Sequence, residues 1–151
     1  MTDMQKTLKD SAKLSGIGLH TGEKVNITIL PAAENHGFKF QRVDIEGQPT
    51  IKADCDLVVA TDRGTTLEEN GARVYTTEHL LAALVGMEVD NALIQIDGPE
   101  VPIMDGSSWL FVEAIEKAGL VEQNAERNYF ELTENIKWED LEKGVEFLAV
   151  P

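Results

Sequence analysis

The sequence contains a single cysteine, Cys55, among its 151 residues. One cysteine cannot form a disulfide within the chain, and it cannot build a zinc site from several thiolates. A reducing, cytoplasmic setting fits this composition. We expect Cys55 to be a small side chain that is buried or half-buried.

Basic residues are also scarce, because 13 lysines and arginines stand against 27 acidic residues, for a net charge of −14. This charge argues against nucleic acid as a partner, and against docking to an anionic membrane through a basic patch. The chain has no apolar run typical of a signal peptide and none long enough to span a bilayer, so we expect no transmembrane segment. With 42% hydrophobic and 26% charged residues, the composition is that of a soluble globular protein.

Strand patterns dominate the first half of the chain. Residues 25–30 alternate between apolar and polar side chains and end at Pro31, which predicts a strand. The glycine-rich run 15–22 is predicted to be a loop, and Glu69-Asn70-Gly71 to be a hairpin turn. Further strands are predicted at residues 8–14, 37–43, 51–53, 56–60, 62–67 (after a turn), 72–74 and 91–96.

Apolar residues at helical spacing predict two helices, over residues 77–86 and 109–118. Thr76 or Thr77 is the expected N-cap of the first helix, and Gly119 ends the second. Both helices are short and apolar on one face, so each must pack against other elements. The predicted fold class is α+β, a two-layer sandwich of a mixed or antiparallel sheet with two helices packed on one face.

The end of the chain is predicted to begin a second unit. The polar run 122–128 is interpreted as a linker, and strands are expected at residues 129–132, 135–138 and 145–150. The predicted organisation is therefore an N-terminal α+β domain over residues 1–127. The linker and the first strands of a truncated second domain occupy residues 128–151.

The first helix opens with a carboxylate and an imidazole side by side, Glu78 and His79. The partial positive charge of a helix N-terminus disfavours imidazolium and stabilises a carboxylate. Adjacent helical positions point about 100° apart, so the pair is better suited to two roles than to chelating one ion. We interpret His79 as a metal ligand and Glu78 as a general base. The alternative is ordinary first-turn polarity, because acidic residues are favoured at any helix start.

The other polar candidates are less specific. His20 lies in the glycine-rich loop, and either a site role or satisfaction by backbone groups remains open for it. His36 is interpreted as a solvated turn residue. No two histidines have chelating spacing, and a catalytic zinc site uses three protein ligands, so His79 would need ligands from elsewhere. The carboxylates Asp97, Glu100 and Asp105 form either a polar rim or local turn and cap contacts, and we favour the second interpretation.

Several segments taken together resemble one enzyme family, the UDP-3-O-acyl-N-acetylglucosamine deacetylases, which are zinc enzymes of bacterial lipid A synthesis. The resemblance covers nearly the whole chain and corresponds to the N-terminal half of those enzymes. Residues 34–37 and 44–49 further resemble forms fused to an acyl-carrier-protein dehydratase. The segments that carry the resemblance are Gly18-Leu19-His20-Thr21-Gly22, Arg63-Gly64-Thr65, Thr77-Glu78-His79-Leu80-Leu81-Ala82-Ala83-Leu84, Asp90-Asn91 and residues 98–107.

The resemblance implies two similar α+β domains, with the active site between their helices. Zinc would be held by His79 and by a histidine and an aspartate of an H-x-x-x-D motif in the second domain. Glu78 matches the general base. The residues implied to border the substrate are His20, Leu19, Thr61 and Thr65. This sequence contains no H-x-x-x-D motif and no histidine after Tyr129.

The implied function is the N-terminal part of a zinc-dependent amidase that deacetylates UDP-3-O-acyl-N-acetylglucosamine in lipid A synthesis. Without the second domain, we expect this chain to be inactive, to bind Zn²⁺ weakly or not at all, and to expose apolar helix surface that favours self-association. One alternative is a non-catalytic binding or structural α+β domain. A small-molecule kinase-like domain is disfavoured, because no phosphate-binding glycine loop opens a helix.

Overall fold

The structure is a computed structural model that describes residues 3–151. Within these residues two helices and twelve strands form several sheets, so the predicted α+β class is confirmed. The elements are β1 (Met4–Leu8), β2 (Ala12–Ile17), β3 (Lys24–Pro31), β4 (Phe38–Arg42), β5 (Thr50–Lys52), β6 (Val58–Ala60), β7 (Thr66–Glu69), β8 (Ala72–Val74), α1 (Glu78–Gly86), β9 (Ala92–Ile96), α2 (Trp109–Ala118), β10 (Leu120–Glu126), β11 (Ile136–Asp140) and β12 (Val145–Ala149).

The central sheet has five strands in the order β2-β3-β9-β4-β5. β4 runs parallel to β9, and the other neighbours are antiparallel, so the sheet is mixed. The period-two pattern of β3 arises because alternate side chains enter the core, as Val25, Ile27 and Ile29 do. Ile94 and Ile96 of β9 are buried in the same core.

The two helices form the second layer. α2 packs against β2 and against α1, and both helices bury the apolar faces that their spacing predicts. The Ser108 hydroxyl donates a hydrogen bond to the His79 carbonyl oxygen at 2.9 Å, which joins the beginnings of the two helices. The buried helical residues are Leu80, Ala83 and Leu84 of α1, and Phe111, Ile115 and Ala118 of α2.

Helix ends and turns mostly follow the sequence signals. Thr77 precedes α1 as its N-cap residue, and Gly119 ends α2 with a φ of +73°. Asn70 and Gly71 both have positive φ in the predicted hairpin turn between β7 and β8. Among residues 3–151, no helix has both the length and the hydropathy needed to cross a membrane.

A small antiparallel sheet, β6-β7-β8, lies beside the central sheet and leads into α1. Its middle strand contacts β5 of the central sheet, and Leu67 and Val74 are buried in the shared core. The turn before β7, residues 61–65, is thereby brought close to the first turn of α1.

The predicted strand over residues 8–14 is wrong, because β1 ends at Leu8 and β2 begins at Ala12. Between them the backbone N–H groups of Lys9 and Asp10 donate to the carbonyl oxygens of Gly119 and Ala118, at the end of α2. The predicted loop over residues 15–22 is also too long, since residues 15–17 belong to β2.

The predicted linker over residues 122–128 is wrong for most of its length. Residues up to Glu126 continue β10, which pairs antiparallel with β1. The polar side chains of this strand have distant partners. The Gln123 amide donates to the Ala32 carbonyl oxygen and accepts a bond from Asn91, each at distances of 2.8–2.9 Å.

Beyond β10 the chain forms a hairpin of β11 and β12. The strand predicted at residues 129–132 does not form. The hairpin buries little apolar surface, although Trp138 and Phe147 pair across it with ring centroids 5.6 Å apart. The division into domains at residues 127 and 128 stays a prediction.

Core packing should dominate the stability of the helical layer. Replacing the fully buried Phe111 with alanine should lower the free energy of unfolding by about 3–5 kcal/mol, because the lost ring leaves a cavity. Val85→Ala is the matched control, since Val85 is 64% exposed on α1 and should change stability by less than about 0.5 kcal/mol. Urea midpoints of the two variants measure the difference, and equal shifts would contradict the assignment of this core.

Candidate active site

The first turn of α1 is bonded to the loop before β7. The Glu78 carboxylate accepts the N–H of Thr65 through Oε2 at 2.9 Å. The N–H and the hydroxyl of Thr77 both donate to the Thr65 carbonyl oxygen at 3.3 Å. Thr77 therefore uses its hydroxyl on the loop and makes no side-chain cap bond to the helix. These bonds hold the Glu78 carboxylate in one orientation.

His20 joins the glycine-rich loop to the same region. Its Nε2 lies 3.0 Å from the carbonyl oxygen of Arg63, and because a carbonyl oxygen only accepts, Nε2 donates the proton. Arg63 itself has a φ of +62°, in the left-handed region. The two alternatives left open for His20 are thus compatible, since one ring nitrogen bonds the backbone while the residue faces a cleft.

Glu100 lies between the glycine-rich loop and the segment that enters α1, and it has no exposed surface. Its carboxylate accepts the N–H groups of His20 and Thr21 at 2.8–3.1 Å and the hydroxyl of Thr76 at 2.9 Å. Gly18 leaves room for it, because a Cβ at that position would lie 2.4 Å from Glu100 Oε2. Glu100 therefore connects the glycine-rich loop with the segment that enters α1.

The environment of Glu100 favours its charged form. Burial alone would raise the pKa of this carboxyl, but the bonds from the Thr21 and His20 N–H groups and from the Thr21 and Thr76 hydroxyls outweigh burial. The net result is a pKa below the usual glutamate value. Glu100 is thus an anion solvated by backbone and hydroxyl donors.

A cleft of about 390 Å³ opens between these loops. Leu19 and Thr61 are exposed near its edge, but neither is among the residues that line it, and Thr65 also lies outside the lining. The cleft is lined by His20, Thr21, Ala60, Asp62, Gly64, Thr66, Tyr75 and Thr76.

His79 is half-buried beside Glu78 on α1. Its ring nitrogens make no hydrogen bond within residues 3–151, so the imidazole is available to a ligand. Among the described residues, no group of three potential metal ligands includes His79. The one group of three potential ligands found there, Asp54, Cys55 and Asp56, is exposed and lies in a short helical turn that Asp54 caps. The half-buried, unbonded imidazole of His79 fits the role of a single metal ligand.

Two expectations about polar residues are corrected. Cys55 is exposed, because the turn that contains it lies on the surface. Asp97 does not bond local backbone; it accepts the N–H and the amide of Asn26 on β3 at 2.6–2.7 Å. Asp105 does make the predicted local contact, with the N–H of Ser107.

Glu100 is the functional-region residue whose importance the sequence did not indicate. It belongs neither to a rim nor to a local cap, since it is buried and its partners lie about 80 and 24 positions away. Its place in the 98–107 segment marked it as a candidate but did not indicate burial. The glycine at position 18 is a further signal, which becomes meaningful once the two segments are known to meet. His36 bonds the neighbouring Gly37 carbonyl in a turn, in agreement with its interpretation.

A protein-family model described as LpxC, UDP-3-O-acyl N-acetylglycosamine deacetylase, matches residues 5–151. The chain belongs to this family. The resemblance proposed from the sequence motifs is therefore confirmed. The matched residues include the Glu78–His79 pair, both loops around the cleft and Glu100.

Two kinds of relative are similar to the chain. The bifunctional enzyme LpxC/FabZ of Bacteroides thetaiotaomicron is 49% identical over 97% of this chain, which covers 32% of that relative. The UDP-3-O-acyl-N-acetylglucosamine deacetylase of Saccharophagus degradans is 45% identical over 95% of this chain and 48% of that relative. The chain spans about a third of the length of the bifunctional relatives and about half of the length of the single-function ones.

The low pKa of Glu100 should make stability depend on pH on the acid side. A carboxyl whose pKa is lower in the folded state contributes stability above its unfolded value, near 4.5, and loses it as pH falls through the folded value. Glu100→Gln should cost about 2 kcal/mol at pH 7 and remove this part of the acid-side loss. Urea unfolding between pH 7 and the acid range measures both effects, and parallel pH curves for the two proteins would contradict the assignment.

Proposed function

We propose that this chain is the first domain of a zinc-dependent deacetylase that removes the acetyl group from UDP-3-O-acyl-N-acetylglucosamine in lipid A synthesis, in the cytoplasm. The observation that carries the proposal is the Glu78 carboxylate, which Thr65 orients beside an unengaged His79 imidazole. A family match over residues 5–151 supports it. The substrate itself comes from the names of the relatives.

His79 would be the ligand that this domain supplies to the metal. When bound, Zn²⁺ supplies Lewis-acid polarisation of a water and of the substrate carbonyl. A catalytic zinc site uses three protein ligands, and the described residues offer one in this region. The proposal therefore assigns the remaining ligands to a second domain and predicts that the chain alone is inactive.

Glu78 would act as the general base. Its carboxylate takes a proton from water while the water oxygen forms a bond to the acetamide carbonyl carbon. The same carboxyl then passes the proton to the sugar nitrogen as the carbon–nitrogen bond breaks, which yields acetate and the free amine. The bond from the Thr65 N–H fixes one carboxylate oxygen and leaves the other, next to Gly64, for the proton transfers.

The cleft beside Glu78 would receive part of the substrate. Its volume lies within the range of small-molecule sites. We assign His20 to its lining. Leu19, Thr61 and Thr65 lie beside lining residues, and we assign them to the outer edge, where they would contact substrate.

The second domain would cover the helical layer and continue from the β11–β12 hairpin. Two apolar side chains on the helices are exposed, Val85 by 64% and Trp109 by 59%. Their exposure supports the proposal that another domain covers this surface. Where the second domain is missing, the same surface provides a route to self-association of the chain.

The isolated 151-residue chain should not retain zinc. One imidazole holds the ion too weakly to survive dialysis, because two of the three ligands are absent. Metal analysis after dialysis against a metal-free buffer should find far less than one zinc per chain, equal to the content of His79→Ala. Tight stoichiometric zinc that disappears in His79→Ala would show that the ligand set is complete within the chain.

The full-length enzyme should depend on Glu78. Replacing Glu78 with alanine should lower kcat by about 10²–10⁴-fold with the zinc content unchanged, because the base is lost and the metal ligand is kept. Glu46→Ala, in the exposed turn after β4 and away from the helical layer, is the control and should leave turnover unchanged. Turnover of UDP-3-O-acyl-N-acetylglucosamine is the measurement, and normal turnover by Glu78→Ala would favour a non-catalytic domain.

A further inference from the structure

We propose that Glu100 is a positioning residue that fixes the catalytic base Glu78 and the His20 loop relative to each other. This inference rests on the proposed function, because it concerns the reaction in which Glu78 is the base. Glu100 would not touch substrate, since it has no exposed surface.

On one side, the Glu100 carboxylate binds the glycine-rich loop. Loop residues His20 and Thr21 both donate their N–H groups to it. Consecutive N–H groups that converge on an anion form a nest, and here the anion is the protein's own side chain. The loop is closed around it by backbone bonds from Gly18 to Glu23 and from Gly22 to Gly18, at 2.9 and 3.0 Å.

On its other side, the Glu100 carboxylate contacts the segment that enters α1. The Thr76 hydroxyl donates to Glu100 Oε1, and Thr76 is buried with a φ of +57°. This backbone conformation is uncommon for a β-branched residue, and it is held where surrounding contacts determine it. Thr76 stands two residues before Glu78, so the contact sets the direction in which the chain enters α1.

Together, the contacts of Glu100, His20, residue 65 and Thr76 form a closed ring that includes Glu78. From Glu100 the bonds run through His20 to the Arg63 carbonyl, and from residue 65 of the same loop to Glu78. The return path runs from Glu78 along the backbone to Thr76 and back to Glu100. A substitution at Glu100 can therefore displace the Glu78 carboxylate along two paths, through the His20 loop and through Thr76. A substitution that only lowered overall stability would reduce turnover whether or not Glu78 is present.

The test is a double-mutant cycle in the full-length zinc-loaded enzyme. Glu100→Gln keeps the size of the side chain but replaces an acceptor oxygen with an NH₂ that faces N–H donors. It should lower kcat per zinc-loaded molecule by about tenfold or more, with KM changed by less than about twofold. In the Glu78→Ala background the same substitution should change kcat by less than about twofold, because the base that it positions is absent.

A milder variant covers the case in which Glu100→Gln folds poorly. Thr76→Val retains the shape of the side chain and removes one hydroxyl, and it should show the same pattern with a smaller loss of kcat. Asp97→Asn is the matched control, since Asp97 also accepts a backbone N–H but lies outside the ring, and it should leave kcat unchanged.

The outcomes separate the two proposals. Suppose that Glu78→Ala impairs turnover. If Glu100→Gln leaves turnover unchanged, or if it lowers kcat by the same factor with and without Glu78, then Glu100 has no positioning role and the proposed function stands. If Glu78→Ala itself turns over normally, the proposed function fails and this inference fails with it.

Discussion

A carboxylate that is buried without a neighbouring cation needs hydrogen-bond donors in place of water, because an unsolvated charge is very costly inside a protein. Glu100 meets this requirement with donors from two segments that are far apart in sequence. The glycine-rich loop has to fold around it, and Gly18 is required because any side chain there would overlap the carboxylate. Glu100 thereby connects the loop that lines one side of the cleft with the segment that enters α1.

The helices and strands that could be predicted are those whose own sequence repeats apolar residues for burial in the core. β3, β9, α1 and α2 each repeat apolar residues at the period of the structure that they form, and their observed bounds differ little from the predicted ones. β10 was not predictable in this way. Its residues are polar, and it becomes a strand because β1, more than a hundred positions earlier, provides the pairing edge. The break between β1 and β2 likewise depends on carbonyl groups at the end of α2.

In the candidate site too, features set by local sequence were predictable, and features set by contacts between distant segments were not. Glu78 and His79 are adjacent in sequence at a helix start, so their pairing was visible without a fold. The contacts that orient them were not, since Thr65 and Glu100 reach the helix start through tertiary structure. Thr65 was predicted to border the substrate, and the structure shows that its backbone N–H is already committed to Glu78. Any contact of Thr65 with substrate must therefore use its side chain.

The location of the exposed apolar surface bears on how the metal site would be completed. The Ser108 hydroxyl bonds the His79 carbonyl, so the first turn of α2 lies directly against the first turn of α1. Trp109, exposed at the start of α2, directly follows the residue that makes this bond. A partner surface that buries Trp109 to gain apolar contact approaches His79 in the same movement. If the proposed second domain binds here, apolar docking and completion of the ligand set would occur together, and each would strengthen the other.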